Sequence, residues 1–110
     1  MLGTVRSRQP TKISDPAVFH AARRLDEYTQ MLARRLRDYG RAETRVDRTL
    51  ALVEAEVAAR LIRSGAQELN LRLLPHSVHH DLEAEVKKRT GGLAEARADH
   101  EERFGPIPVA

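Results

Sequence analysis

Apolar side chains recur at steps of three and four residues from Val18 to Val57, and this spacing constrains the fold more than any other feature. The repeating positions, here called the seam, are Val18, Ala22, Leu25, Thr29, Leu32, Leu36, Tyr39, Glu43, Val46, Leu50, Val53 and Val57. Such spacing aligns side chains on one face of a helix, as in a coiled coil. The chain is therefore predicted to be all-α and to pack helices together through this face.

The helical pattern runs from Pro16 to Ser64. Asp15 suits an N-cap, and Pro16 suits the first helical position, where its missing N–H costs nothing. Gly65 is the predicted end of the pattern, because glycine commonly follows the last residue of a helix. Between Leu50 and Ile62 a second small-residue face lies beside the seam, formed by Leu52, Ala55, Ala59 and Ile62. A helix apolar over so wide an arc is usually covered from two sides.

Gly40 leaves two architectures open for residues 16–64. One is a continuous helix, since a packed helix tolerates the cost of about 1 kcal/mol for a glycine. The other is a helical hairpin with a loop at residues 40–43 and a second helix that begins at Thr44. Because a loop has no reason to preserve the spacing, the unbroken seam favours the continuous helix.

Two shorter helices are predicted after this long segment. Residues 69–73 alternate with period two, which fits a strand, a helical turn or an irregular connector. Ser77 is the predicted cap of the next helix, which stops at Gly91, and Leu93 begins the last one. The predicted organisation is an extended basic arm at 1–14, a helical domain at 15–104 and an extended tail at 105–110.

Charge is distributed unevenly along the chain. The net charge is +3; residues 1–64 hold thirteen Arg or Lys against eight Asp or Glu, and residues 65–110 hold six against eight. Sixteen of the nineteen basic residues are Arg, which suits phosphate and carboxylate groups. A GC-rich genome, which encodes Ala and Arg freely, explains this composition equally well.

Several classes of protein are disfavoured by composition. The chain has no Cys, so disulfides and thiolate metal sites are excluded. No stretch approaches the roughly 18 uninterrupted apolar residues of a membrane span. The first residues are basic but lack the apolar core of a secretory signal. A cytoplasmic protein, free or within a larger particle assembled there, is expected.

The candidate metal ligands are three histidines that follow Pro75, namely His76, His79 and His80. On a helix, His76 and His80 would share one face, where two imidazoles can bind one metal ion. Further ligands would have to come from other helices, where the candidates are His20 and His100. Exposed or pH-sensing histidines are the simpler interpretation, so neither a metal nor another cofactor is expected.

Arginines form the second candidate site. If Gly40 does not interrupt the helix, five of them make one exposed stripe: Arg34, Arg37, Arg41, Arg45 and Arg48. The basic residues of the arm would extend it: Arg6, Arg8 and Lys12. Such a stripe could follow a nucleic-acid backbone, although few aromatics are present to stack on bases. A solvated face or a docking strip for an acidic protein fits better.

Neither a catalytic triad nor a phosphate-binding loop is evident, so no enzyme and no small-molecule substrate are expected. The leading hypothesis is a non-enzymatic structural or adaptor protein that assembles through the seam, as a homo-oligomer or with larger subunits. The predicted interface residues are Leu25, Leu32, Leu36, Val46, Leu50, Val53, Val57 and Leu61. The alternative is a DNA- or RNA-binding helical protein that uses the arginine stripe and the basic arm.

Overall fold

The computed structural model describes residues 14–107, and within this range the regular structure is entirely helical. Its elements are α1 (Pro16–Arg41), α2 (Arg45–Leu73), a 3₁₀ turn (Leu74–His76), α3 (Leu82–Arg89) and α4 (Leu93–Phe104). The all-α class, with a long helical part followed by two shorter helices, is confirmed. Residues 1–13 and 108–110, which make up most of the predicted arm and tail, lie outside the described residues.

The long helical part is an antiparallel hairpin of α1 and α2. Arg24 on α1 meets Glu68 on α2, whereas Arg35, further along α1, meets Glu54, which lies earlier on α2. The hairpin alternative is therefore right, and the continuous helix that the unbroken spacing favoured is wrong. The hairpin makes the molecule an elongated rod of 65 × 24 × 19 Å.

The break between α1 and α2 comes from backbone conformation just after Gly40. Ala42 and Thr44 are both extended, with ψ of 140° and 157°. The Thr44 hydroxyl accepts a hydrogen bond from the backbone N–H of Asp47 at 3.1 Å, which stabilises the start of α2 as an N-cap. Gly40 itself is the penultimate residue of α1, so it neither forms the turn nor lies in a continuous helix.

The hairpin packs through faces of unequal size. The buried side chains of α1 are mostly large: Val18, Ala21, Leu25, Leu32 and Tyr39. Those of α2 include many small residues: Ala51, Leu52, Ala55, Ala58, Ile62, Gly65, Ala66, Leu69 and Leu73. The seam thus forms the core on α1, but on α2 the alanine face is turned inward. Small residues let two helix backbones approach, and the large side chains of one helix then fill the space between them.

Gly65 shows how close this approach is. It lies inside α2 and is buried, and a Cβ atom there would be 3.3 Å from Cδ2 of Tyr28 and 3.4 Å from Cδ1 of Leu25. The prediction that Gly65 ends the helix is wrong, because packing against α1 stabilises the helix beyond it. Residues 69–73 are consequently helical, and Leu69 and Leu73 are buried.

The two short helices cover one side of α2. Asp81 caps α3 by accepting a hydrogen bond from the backbone N–H of Ala84 at 3.1 Å. The predicted cap at Ser77 is wrong, since that residue has a left-handed φ of 56° and follows the 3₁₀ turn. Val86 from α3 and Leu93 from α4 are buried in the core. These two helices therefore cover a side of α2 that α1 does not cover.

We expect opposite effects from side chains added at two helical glycines. Gly65→Val should lower the free energy of unfolding by about 1–3 kcal/mol, because the added methyl groups crowd Tyr28 and Leu25. Gly40→Ala should raise it by up to about 1 kcal/mol, because nothing lies within 4 Å of the new Cβ and alanine is the better helix former. Urea unfolding followed by far-UV circular dichroism measures both, and equal shifts would contradict the packing described.

Candidate functional site

Four side chains on one face of α2 make an exposed apolar row, which we call the apolar stripe: Val46, Leu50, Val53 and Val57. Val46 is 73% exposed, Leu50 55% and Val57 44%, and Val53 is half-buried. At 100° per residue the four lie within about 60° of one another and extend about 17 Å along the helix. A contiguous exposed apolar patch on a small protein commonly marks an interaction site.

One end of the apolar stripe is concave. A depression of about 360 Å³ opens there, with Val46, Leu50 and Val53 as its floor. The side of the depression opposite these residues is lined by His100 of α4 and by Pro106, which follows α4. The stripe is therefore a ridge of helix beside a hollow, a shape into which a side chain of another helix can insert.

Charged residues flank the apolar stripe without entering it. From the helical period, Asp47 and Glu54 lie on one side of the stripe, and Arg45, Glu56 and Arg60 lie on the other. Glu54 is bound to Arg35 of α1 at 3.3 Å. Leu61, the last of the predicted interface residues, is half-buried one turn beyond Val57. An apolar centre with charges at its edges is the usual composition of a protein interface.

The wall of the hollow is anchored to the hairpin by three residues, which we call the turn cluster: Tyr39, Arg48 and Asp99. Arg48 donates from Nε to the carbonyl of Ala42 at 3.0 Å, and its guanidinium lies 5.2 Å from the centre of the Tyr39 ring. The Tyr39 hydroxyl donates to Asp99 of α4 at 2.7 Å. These contacts join α1, the turn, α2 and α4 at one end of the rod.

His100 fixes the chain that follows α4. It is 1% exposed, its Nδ1 lies 2.9 Å from the carbonyl oxygen of Gly105, and its Nε2 lies 2.7 Å from the hydroxyl of Thr49. Because a carbonyl oxygen only accepts, Nδ1 is the donor. The ring therefore joins α2 to the backbone beside Pro106. The sequence placed His100 at helical spacing with Leu93 and offered it as a further metal ligand, and that spacing with Leu93 was the signal for the core position that the structure shows.

Contacts at the turn cluster shift the pKa values of Tyr39 and Asp99. Burial, together with the hydrogen bond to Asp99, raises the pKa of Tyr39 above its ordinary value. The hydrogen bond from Arg103, followed by that from Tyr39, lowers the pKa of Asp99 below its ordinary value of 3.8. Asp99 is thus held as a carboxylate in the folded protein, where it accepts from two helices.

The other predicted interface residues lie within the hairpin. Leu25 and Leu32 are fully buried between α1 and α2, and Leu36 is half-buried against the same core. They are used in packing the monomer, and Thr29, which interrupts the seam beside them, donates its hydroxyl to the carbonyl of Leu25 at 2.8 Å. Of the predicted interface, the part on α2 is the part exposed to solvent.

The hairpin divides the predicted arginine stripe. Arg34, Arg37 and Arg41 are exposed on α1 and form no ion pair with any residue in 14–107. Arg45 lies across the turn, with its guanidinium 6.0 Å from the centre of the Phe104 ring, and Arg48 belongs to the turn cluster. The structure thus separates three solvent-facing arginines from two that pack locally; Arg6, Arg8 and Lys12 lie outside the described residues.

The three candidate metal-binding histidines precede α3, so they do not share a helical face as predicted. Nε2 of His76 lies 3.3 Å from Oδ2 of Asp15. The hydrogen bond from the backbone N–H of Ala17, followed by this contact with His76, lowers the pKa of Asp15. His80 contacts Asn70 and Glu85. Within residues 14–107, no group of three His, Cys, Asp or Glu side chains is arranged to hold a metal ion.

The lowered pKa of Asp99 predicts a loss of stability in acid. A carboxylate whose folded pKa lies below its unfolded value of 3.8 stabilises the fold above that pH and loses this contribution as pH falls. The free energy of unfolding should therefore decrease from about pH 5 to about pH 2, and Asp99→Asn should make this decrease shallower while lowering stability at neutral pH. Urea unfolding across this range tests it, with Glu43→Gln in the exposed turn as the control that should keep the wild-type slope.

Comparison with known proteins leaves the geometry as the guide to function. No helix among residues 14–107 combines the length and the apolar character needed to cross a membrane. The chain matches no family model, and neither the curated proteins nor the solved structures gave a match.

Proposed function

We propose that this protein is a non-enzymatic structural or adaptor protein that assembles by docking the apolar stripe of α2 onto a helix of another polypeptide. The observation that carries the proposal is the exposure of Val46, Leu50 and Val57 on one face of a helix. Removing a valine or leucine side chain fully from water contributes about 1.5–3 kcal/mol. A row of them left in solvent is thus a source of binding free energy.

The composition of α2 supports the same conclusion. The alanine face already closes the hairpin, so the monomer gains nothing from further branched aliphatic residues on the opposite side. Heptad-like spacing on a solvent-facing stripe is typical of a helix that receives a partner helix. The hollow beside Leu50, bounded by His100 and Pro106, adds a place for one anchoring side chain.

As such an adaptor, the protein has no catalytic role and no cofactor, and it acts in the cytoplasm or in a particle assembled there. Its polar clusters have structural tasks. The turn cluster holds α4 against the hairpin through Tyr39 and Asp99, and His80 holds the segment before α3 through Asn70. Groups already committed to such contacts are poor candidates for acid–base or metal chemistry.

Site-specific photo-cross-linking in the native cells tests the docking function. With p-benzoylphenylalanine in place of Val57, irradiation should yield a covalent adduct with a polypeptide, because a docked helix would lie against that side chain. Leu50→Glu in the same chain should abolish the adduct, since a buried charge is strongly disfavoured at an apolar contact.

The control places the same photoreactive residue at Gln30, which is exposed on α1 away from the stripe, and should give no adduct. Absence of an adduct at position 57, or an adduct that Leu50→Glu leaves unchanged, would contradict docking through the apolar stripe.

Binding of nucleic acid is the second candidate function. The observation that favours it is that Arg34, Arg37 and Arg41 are exposed on α1 without ion-pair partners in the described part of the chain. By contrast, Arg24, Arg35, Arg63 and Arg97 are bound to carboxylates. Unpaired arginines along one face suit a phosphate backbone. Because arginine is also well solvated in water, leaving this surface exposed costs less free energy than leaving the apolar stripe exposed.

A nucleic-acid role predicts affinity that falls steeply with salt. Fluorescence anisotropy with random-sequence duplex DNA and single-stranded RNA should show binding, and the triple change Arg34→Gln, Arg37→Gln and Arg41→Gln should flatten the salt dependence by up to about 0.9 per lost phosphate contact on duplex DNA. The control Lys87→Gln with Lys88→Gln removes charge from the exposed end of α3 and should have little effect. Equal affinity of the triple variant and the wild type would exclude this surface.

A further inference from the structure

We infer that residues 77–89, here called the strap, open from the hairpin as one unit while α1, α2 and α4 stay packed, and that ion pairs hold the strap closed. The strap consists of the segment before α3 and of α3 itself. The residues of α2 that contact it, Arg63 and Asn70, lie about 110–130° around the helix from the centre of the apolar stripe. The strap is therefore on a different flank of the hairpin from the proposed docking surface.

The backbone allows the strap to move without unwinding its neighbours. Ser77, at its start, has a left-handed φ of 56°, and Gly92, just beyond its end, has a φ of 93°. The helix of the strap is thus continuous with neither α2 nor α4. On both sides the chain is fixed by a buried leucine, Leu73 at the end of α2 and Leu93 at the start of α4. These two breaks set the limits of a segment that can open locally.

Apolar packing contributes little to closing the strap. Val86 is its one buried side chain among residues 77–89, and Val78 and Leu82 are half-buried, whereas nine residues of α2 are buried. An open hollow of about 500 Å³ lies between α2 and the strap, which lines it with Val78, His79, His80 and Leu82. Because resistance to local opening increases with buried apolar contacts, other contacts must hold the strap in place.

Arginine–carboxylate pairs tie the strap to both helices of the hairpin. At the end of α3, Nη1 of Arg89 donates to Oδ1 of Asp26 at 2.8 Å and to the hydroxyl of Thr29 at 2.9 Å, both on α1. Near the start of α3, Glu83 accepts two hydrogen bonds from Arg63 of α2, at 2.9 and 3.0 Å. Both ends of the helix are therefore attached through charged groups.

These ion pairs are accessible to water and to salt. The side chains of Arg63 and Glu83 are 45% and 73% exposed, and that of Asp26 is 63% exposed. The hydrogen bond from Arg63 lowers the pKa of Glu83 below its ordinary value, so charge contributes to the contact. Since the Debye length is only about 3 Å at 1 M salt and exposed pairs are screened, high salt should favour the open strap. The contact of His80 with Asn70 depends less on salt, because the amide carries no charge.

Opening of the strap exposes one apolar flank of the hairpin. Val86 packs in the core that α1 and α2 share, and beside it Ala59 lines a shallow hollow. The last helix, α4, stays in place, because the turn cluster and the pair of Arg97 with Glu56, at 2.7 Å, hold it. The strap is thus a cover over part of the core whose position depends on ionic strength.

Hydrogen exchange of the full chain, followed residue by residue by NMR at neutral pH, tests the strap. The hydrogen-bonded amides of α3, for example that of Glu85, should exchange at least about tenfold faster than that of Ile62 in the middle of α2. Raising NaCl from about 0.05 M to about 1 M should speed the α3 amides by about two- to fivefold relative to Ile62, because the ion pairs are screened.

Two variants and a matched control make the outcome specific. Arg89→Gln removes the link to α1, and Arg63→Gln removes that to α2; each should speed exchange at low salt by at least about twofold. Each should also weaken the response to salt. Because the strap opens as a unit, one substitution should speed all the α3 amides together. The control Lys87→Gln removes a positive charge from an exposed position on the same helix and should exchange like the wild type.

Exchange of the α3 amides as slow as that of Ile62 would overturn the inference, as would exchange that salt leaves unchanged. Salt that speeds α2 and α3 equally would show that no separate unit opens. Variants Arg63→Gln and Arg89→Gln that exchange like Lys87→Gln would show that the ion pairs do not hold the strap closed.

Discussion

The close approach of α1 and α2 is the contact on which the rest of the structure depends. Gly65 and a row of alanines let the backbone of α2 lie against the large side chains of α1, including Leu25 and Tyr28. Because the inward face of α2 is the one rich in small residues, the branched side chains of Val46, Leu50 and Val57 remain on its outer side. The exposed stripe is thus a direct consequence of how the hairpin packs, and the short helices cover only the flank between these two faces.

Polar contacts then fix what surrounds the stripe. Arg48 binds the turn carbonyl of Ala42 and Asp99 accepts from Tyr39, so α4 is held at the end of the hairpin where the stripe begins. His100 orders the backbone up to Pro106 through Gly105. The hollow beside Leu50 therefore depends on partly buried hydrogen bonds as well as on apolar packing.

The spacing of apolar residues predicted the helices, and the residue types at two helix starts predicted two of the caps, because both signals follow from local chemistry. Asp15 and Thr44 each accept a backbone N–H, as their side chains suggest. The same spacing could not decide between a hairpin and a continuous helix, since both satisfy it. Nor could it tell which apolar face of α2 turns inward, because that depends on how near α1 can come. The candidate histidines do not share a helical face, because α3 begins after Asp81 rather than at Ser77.

The short turn at residues 42–44 also has a consequence for how the chain can be connected. Val18, Leu25, Leu32 and Tyr39, buried on α1, continue in strict sevens to Val46 and Val53, exposed on α2. If the extended backbone at Ala42 and Thr44 became helical, both sets would lie along one edge of a single rod about 87 Å long. The hairpin and an opened-out helix that exchanges with another molecule would therefore have the same heptad pattern. Three residues of backbone, with the Thr44 cap and the Arg48 contact that hold them, determine which of the two the chain adopts.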